Sequence, residues 1–165
     1  MTVQVVTDSS SRLSDDERKR WSIRQVPLHV LVDDLDLRDG VDDIPNDVFE
    51  RSQVTTAGAS PADLAQAYRE ALAASEGDGV VAVHLSAALS STFSSAAAAA
   101  REFGSAVRVV NTRSAAMGVG AVALAAARAA ETGAELDAVE AVARAAVPRG
   151  QIGRASCRER VSLNV

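Results

Sequence analysis

Val80-Val81-Ala82-Val83-His84-Leu85 runs directly into Ser86-Ala87-Ala88-Leu89-Ser90-Ser91-Thr92-Phe93. The first six residues form a short apolar run rich in β-branched valine, bounded upstream by Glu76-Gly77-Asp78-Gly79. A continuous run of this length reads as a strand buried on both faces, the kind found in parallel sheets. The hydroxyl-rich turn after it opens a helix expected to run through Glu102. Strand, hydroxyl turn and helix in that order define one β-to-α unit, and the rest of the chain repeats the pattern.

Upstream, residues 3–7 make another β-branched run that stops at Asp8-Ser9-Ser10-Ser11. Ser14 is placed to cap a helix over residues 15–20, acidic in its first turn and basic in its last. A β run follows over residues 24–32 with Pro27 inside it. Because proline removes a ladder donor, this strand is expected at a sheet edge or starting at Pro27. Asp33-Asp34 then makes a turn, residues 35–38 return as a hairpin arm, and residues 45–51 read as a brief helix opened by proline.

Thr55-Thr56-Ala57-Gly58-Ala59-Ser60-Pro61 reads as a small-residue loop. Ser60 is its N-cap candidate, Pro61 takes the first helical position, and the helix extends to Ser75 with Leu64, Ala67, Tyr68, Ala71 and Leu72 on one face. Downstream come a strand at residues 107–111, an Ala-rich helix at 116–131 and a last helix at 136–147. Strands alternating with helices of this length specify an α/β domain, a mostly parallel sheet with helices on both faces.

Composition narrows the function. The 165 residues carry a formal charge of −5, and Lys19 is the sole lysine. No basic cluster is present to neutralise a phosphate backbone, so nucleic acid is excluded as a partner. The N-terminus lacks the basic-then-apolar order of a signal peptide. No apolar stretch reaches the ~20 residues of a membrane span. The lone Cys157 excludes an internal disulfide and a cysteine-rich metal site. Cytoplasm is the expected compartment.

From Ile152 the chain changes character. Ile152-Gly153-Arg154-Ala155-Ser156-Cys157-Arg158-Glu159-Arg160-Val161 continues neither a period of 2 nor one of 3.6 and contains the only cysteine. The string resembles the in-frame translation of a common short-read sequencing adapter. Residues 1–150 are therefore read as the domain, and residues 151–165 as a non-native, disordered tail.

In an open α/β sheet, ligands bind beyond the carboxyl ends of the strands. Three hydroxyl clusters fall there: Thr7 to Ser10, Ser86 to Thr92, and Thr112 to Ser114. A fourth, Thr55-Thr56, stands just before a helix. Helix N-termini present free N–H groups and partial positive charge, so they accept an anion without a basic side chain, and hydroxyls add adjustable donors. The Leu85–Thr92 turn is thus a cradle for a carboxylate or phosphate. Each hydroxyl taken singly reads first as a helix cap, and it is the four clusters together that point to a ligand.

Signals for catalysis are weaker. His84 lies two residues before Ser86, and a Ser–His pair with Asp8 would supply a nucleophile and base. There is no Gly-x-Ser-x-Gly elbow, however, and His29 and His84 read as core or strand-end residues. Gly118-Val119-Gly120 follows no strand directly and lacks the third glycine of a dinucleotide fingerprint. Asp33, Asp34, Asp36, Asp39, Asp42, Asp43 and Asp47 match no Ca²⁺ loop and read as a solvated acidic surface.

Several clusters, in order, resemble the DegV family. They are Val6-Thr7-Asp8-Ser9, Val26-Pro27-Leu28, Asp39-Gly40-Val41-Asp42 ahead of Phe49, Thr56-Ala57-Gly58-Ala59-Ser60-Pro61, Leu85 through Phe93, and Asn111-Thr112 with Ser114, Gly118 and Gly120. The resemblance implies the N-terminal lobe of a two-lobed lipid-binding protein that buries a long-chain fatty acid and does no chemistry itself. It carries the carboxylate contacts over to Thr56 and Ser90. Ser91, Thr92, Asp8 and Ser9 complete the expected ligand-binding set, with no catalytic residue, metal or cofactor. Some members present the acyl chain to a separate fatty-acid kinase, which makes such a kinase an implied partner.

Three departures accompany the resemblance. Ala57, Gly58 and Ala59 stand where the family has Ser, Gln and Pro, which is expected to loosen the loop. Ser91 stands for a glycine and is expected to narrow the head-group pocket. The second lobe, which supplies half of the acyl tunnel, has no counterpart here, so the chain is expected to bind fatty acid weakly and to expose an apolar patch. The alternative reading is a small serine-dependent hydrolase or transferase built on the Ser86–Thr92 loop.

Overall fold

The computed structural model describes residues 2–45, 47, 48 and 53–150. The tail from residue 151, Phe49, and most of the helix expected at 45–51 lie outside the described residues. Of that helix's start, the described part shows a turn in which Val48 N–H donates to the Pro45 carbonyl at 3.0 Å.

The chain forms β1 (Gln4–Asp8), α1 (Asp15–Arg20), β2 (Ile23–Val26), β3 (His29–Val32), β4 (Leu35–Arg38), β5 (Val54–Ala57), α2 (Pro61–Ser75), β6 (Val80–His84), α3 (Thr92–Ala100), β7 (Val107–Asn111), α4 (Met117–Glu131) and α5 (Leu136–Ala146). Short 3-10 turns follow β1, α3 and α5. β2, β1, β6 and β7 lie in that order as an all-parallel sheet.

Both faces of this sheet are covered, which is why Val5-Val6 in β1 and Val80 through Val83 in β6 are consecutive apolar residues rather than an alternating pattern. Val5, Val81 and Val83 face the apolar side of α4 and α5, packing with Val119, Val122, Ala126 and Val139. Val6, Val80 and Ala82 face α2 and α3, packing with Leu64, Tyr68, Ala71 and Ala96. The alanines let the helices lie close to the sheet. At Gly120 an added Cβ would sit 2.6 Å from the Ser11 carbonyl oxygen, so α4 approaches the turn after β1 as closely as only glycine permits.

Local signals act where they were expected. Ser14 and Glu17 form a reciprocal capping box at α1, and Ser60 caps α2 by accepting from Asp63 N–H, with Pro61 at the first helical position. Two expectations are corrected. Residues 24–32 are not one strand: the chain leaves the parallel sheet at Val26 and re-enters as β3 of a second, antiparallel sheet ordered β4-β3-β5. Pro27 has no N–H to donate, Leu28 N–H is taken by Ser9 Oγ at 3.0 Å, and the Leu28 carbonyl accepts from Asp39 N–H at 2.7 Å. Residues 55–57 belong to β5 rather than a loop, with Thr55 and Thr56 opposite Leu31 and Val30. Threonine's β-branch suits a half-exposed strand once a partner strand exists.

The order β2-β1-β6-β7 places a topological switch between β1 and β6, because the chain winds outward from β1 in one direction to β2 and in the other to β6. The crevice at such a switch, at the carboxyl ends of its two strands, is where open α/β sheets bind ligands. Asp8 ends β1 and His84 ends β6.

Candidate functional site at the carboxyl edge

Asp8 is fully buried at this switch. Its Oδ1 accepts from Ser10 N–H at 3.1 Å and from the Ser10 hydroxyl at 2.5 Å. Its Oδ2 accepts from Leu85 N–H and from His84 Nδ1, both at 3.0 Å. Burial pushes the carboxyl up, but the His84, Ser10 and Leu85 hydrogen bonds outweigh it and hold Asp8 below its ordinary value. His84, also fully buried, meets the Tyr68 hydroxyl through Nε2 at 2.9 Å. Burial, and then the Asp8 charge, raise the Tyr68 hydroxyl above its ordinary range, so it keeps its proton.

This arrangement decides the roles of the hydroxyl clusters. Thr7 Oγ1 donates to the Val83 carbonyl at 2.9 Å, and Thr112 Oγ1 donates to the His84 carbonyl at 2.8 Å. Ser9 Oγ is occupied by Leu28 N–H. These groups are buried ties between strands and loops. Asp8 and Ser9, expected among the ligand-binding residues, are buried, with the Asp8 carboxylate and Ser9 Oγ accepting hydrogen bonds from inside the protein.

The hydroxyls of the Ser86–Thr92 turn differ in exposure. Leu89 and Ser90 N–H both return to the Ser86 carbonyl, at 2.9 and 3.2 Å, folding the turn that carries Ser90. Ser90 Oγ is 2.9 Å from Thr92 Oγ1 and accepts from Thr92 N–H at 3.2 Å. Ser91, at φ −70° and ψ −10°, needs no glycine conformation and makes no capping bond to α3. Ser90 is half-buried, Ser91 exposed and Thr92 buried.

The loop after β5 is brought onto this turn. Ala59 N–H donates to Thr92 Oγ1 at 3.3 Å. A Cβ on Gly58 would lie 2.7 Å from Thr92 Oγ1 and 3.1 Å from Ser91 Oγ, so Gly58 is what allows the two segments to touch. The Ala57-Gly58-Ala59 departure thus seats its loop against the α3 start. Exposed Thr56 lies two residues before Gly58, at the end of β5. The loop that follows Thr56 (the Thr56 loop, by its neighbour in β5) and the Ser90–Thr92 turn form one neighbourhood at the N-terminus of a nine-residue helix. Leu89 and Met117 are exposed large apolar side chains at the same edge.

The profile of the family described as "Uncharacterised protein, DegV family" covers residues 2–151. The chain belongs to the DegV family. A DegV domain-containing protein of Mycobacterium tuberculosis is 64% identical over 149 residues, covering 90% of this chain and 53% of that protein. One from Streptomyces coelicolor is 42% identical over 139 residues, 82% of this chain and 49% of the relative. The chain therefore spans about half the length of these relatives. Among solved structures, a DegV family protein from Thermus thermophilus, described by its fatty acid binding, is similar with a TM-score of 0.82 at 38% identity, over 90% of this chain and 54% of that one. DegV of Bacillus subtilis, described as a fatty acid binding protein, gives 0.74 at 28% identity over 86% and 52%.

The hydrolase alternative finds no support in this DegV lobe. His84 directs Nδ1 to Asp8 and Nε2 to Tyr68, and the Ser90 hydroxyl is bonded to Thr92 instead. Among the described residues no group of three or more His, Cys, Asp or Glu side chains is placed to hold a metal ion, and no helix is long and apolar enough to cross a membrane. In the acidic segment, Asp42 is engaged by the Arg38 guanidinium and N–H, which hold its carboxyl down at about 2. Tyr68 is the site-supporting residue that sequence reasoning missed. It stood out only as a large residue on the buried face of a helix.

Proposed function

We propose that this lobe holds the carboxylate of a long-chain fatty acid, with Thr56 and Ser90 as direct hydroxyl contacts and Ser91 and Thr92 shaping the pocket. The observation that carries the reading is the seating of the Thr56 loop, through Ala59 N–H and Gly58, on the start of α3. The partial positive charge of that helix end, joined by hydroxyl donors, suits a single anionic head group. The fatty acid binding ascribed to the Thermus thermophilus and Bacillus subtilis relatives supports the same ligand. Within this reading the protein is a carrier without chemistry of its own, and a separate fatty-acid kinase is a partner to which it presents the carboxylate.

Titrating the ¹⁵N-labelled chain with decanoate tests the site. The expected result is amide shifts concentrated at Thr56, Ser90, Ser91 and Thr92, with the paired Thr56→Val and Ser90→Ala substitutions weakening binding at least tenfold, as loss of hydrogen bonds to a charged group requires. Shifts that avoid these residues, or no shifts at millimolar ligand, overturn it.

A further inference from the structure

The two loops of the proposed site belong to different parts of the chain, and something must hold them in register. Asp8 Oδ2 receives Leu85 N–H and His84 Nδ1 at once. Around these contacts the polar backbone of residues 84–86 is pinned. Thr112 N–H and Oγ1 both donate to the His84 carbonyl, and Ser86 N–H donates to the Ser114 carbonyl at 2.8 Å. The Ser90 turn is built on the Ser86 carbonyl. The position of Asp8 is thus transmitted to Ser90 through one short, hydrogen-bonded segment.

The other end of the chain of contacts is Tyr68, on the second turn of α2. Helix α2 begins just after the short loop that follows Thr56 and β5, and its Tyr68 hydroxyl meets His84 Nε2. A carboxylate accepts only, so His84 Nδ1 donates to Asp8, and in the neutral ring Nε2 then accepts from Tyr68. The buried line Tyr68–His84–Asp8 therefore joins the helix behind one loop to the strand behind the other. All four hydrogen bonds that the Asp8 carboxylate accepts come from inside the protein.

We propose that Tyr68, His84 and Asp8 are positioning residues that set the Thr56 loop and the Ser90 turn at the spacing a carboxylate needs. This rests on the fatty-acid reading of the site for its purpose, but its geometric content is measured without ligand. A chain of buried hydrogen bonds suits this task because each member is costly to leave unpaired, so the arrangement is held at one geometry.

The decisive comparison is Tyr68→Phe against Phe103→Leu in the ligand-free chain. Phe103 packs edge-on against the Tyr68 ring, with centroids 6.3 Å apart, so its truncation disturbs the same packing without touching the hydroxyl. In Tyr68→Phe we expect amide exchange at Leu85, Ser90 and Ala59 to rise about tenfold, with α4 unchanged, and decanoate affinity to fall about fivefold. Phe103→Leu should leave those three amides near wild type. Equal responses in the two variants, or a Tyr68→Phe response confined to His84, overturn the inference. Asp8→Asn provides the stronger perturbation if it folds; Tyr68→Phe, which keeps the ring, carries the test if it does not. Wild-type chain that takes up no decanoate, while Tyr68→Phe still loosens both loops, overturns the ligand reading and leaves the positioning network standing.

Discussion

Replacing Thr92 by valine removes one oxygen and keeps the shape of the side chain. In the structure that oxygen accepts from Ala59 N–H at 3.3 Å and lies 2.9 Å from Ser90 Oγ. Thr92 is fully buried and Ala59 is 3% exposed, so the Ala59 amide has no route to water once the oxygen is gone. An orphaned buried donor costs about 1–3 kcal/mol. Ser90 is half-buried and regains a partner from solvent, adding little. For a domain of this size each kcal/mol moves the melting temperature by about 2–4 °C, so Thr92→Val should lower it by roughly 2–12 °C. Thr92→Ser is the control. It keeps the oxygen and loses a methyl worth about 1 kcal/mol. Calorimetry gives the shifts, and hydrogen exchange at Ala59 gives their cause: faster in the valine variant, unchanged in the serine variant. A valine variant that melts within about 1 °C of wild type with Ala59 still protected would refute the link between the two loops.

Gly58→Ala should destabilise by about 1–3 kcal/mol, because the new Cβ lands 2.7 Å from Thr92 Oγ1 and 3.1 Å from Thr92 N; urea midpoints that fall with unchanged slope would show it. The Asp8 carboxyl is depressed in the folded state, so its contribution to stability is present above the unfolded value and is lost as pH falls through the folded one, below 3.8. Wild-type urea midpoints should therefore drop more steeply than those of Asp8→Asn between about pH 5 and pH 3, and parallel curves would remove the ion from the account. Palmitate should bind the 165-residue chain far more weakly than nanomolar, because the proposed contacts are hydroxyls and a helix end that hold the head group, while each acyl CH₂ left in water forfeits about 0.8 kcal/mol; isothermal titration showing nanomolar affinity would mean that these residues also enclose the acyl chain.

Elements whose cause is local follow from the residues that compose them. Valine-rich runs at 3–7 and 80–85 are buried on both faces, Ser14 with Glu17 and Ser60 with Pro61 start their helices, and each signal lies within a few residues of what it controls. The hydroxyl clusters at the strand ends were legible for the same reason, as was the order of motifs that places the chain in its family. Tertiary structure alone decided which hydroxyls face outward and which tie the interior together. Thr7, Ser9 and Thr112 look like Thr56 and Ser90 in sequence; they differ because backbone groups from distant segments, Val83, Leu28 and His84, reach the first three. The split of residues 24–32 between two sheets, and the pairing that makes Thr55-Thr56 a strand, likewise depend on partner strands. Asp8 and His84 are 76 residues apart and Tyr68 lies on a helix between them. Only the parallel pairing of β1 with β6, and the packing of α2 against that sheet, bring their polar atoms to hydrogen-bonding distance, and no periodicity in the chain encodes that meeting.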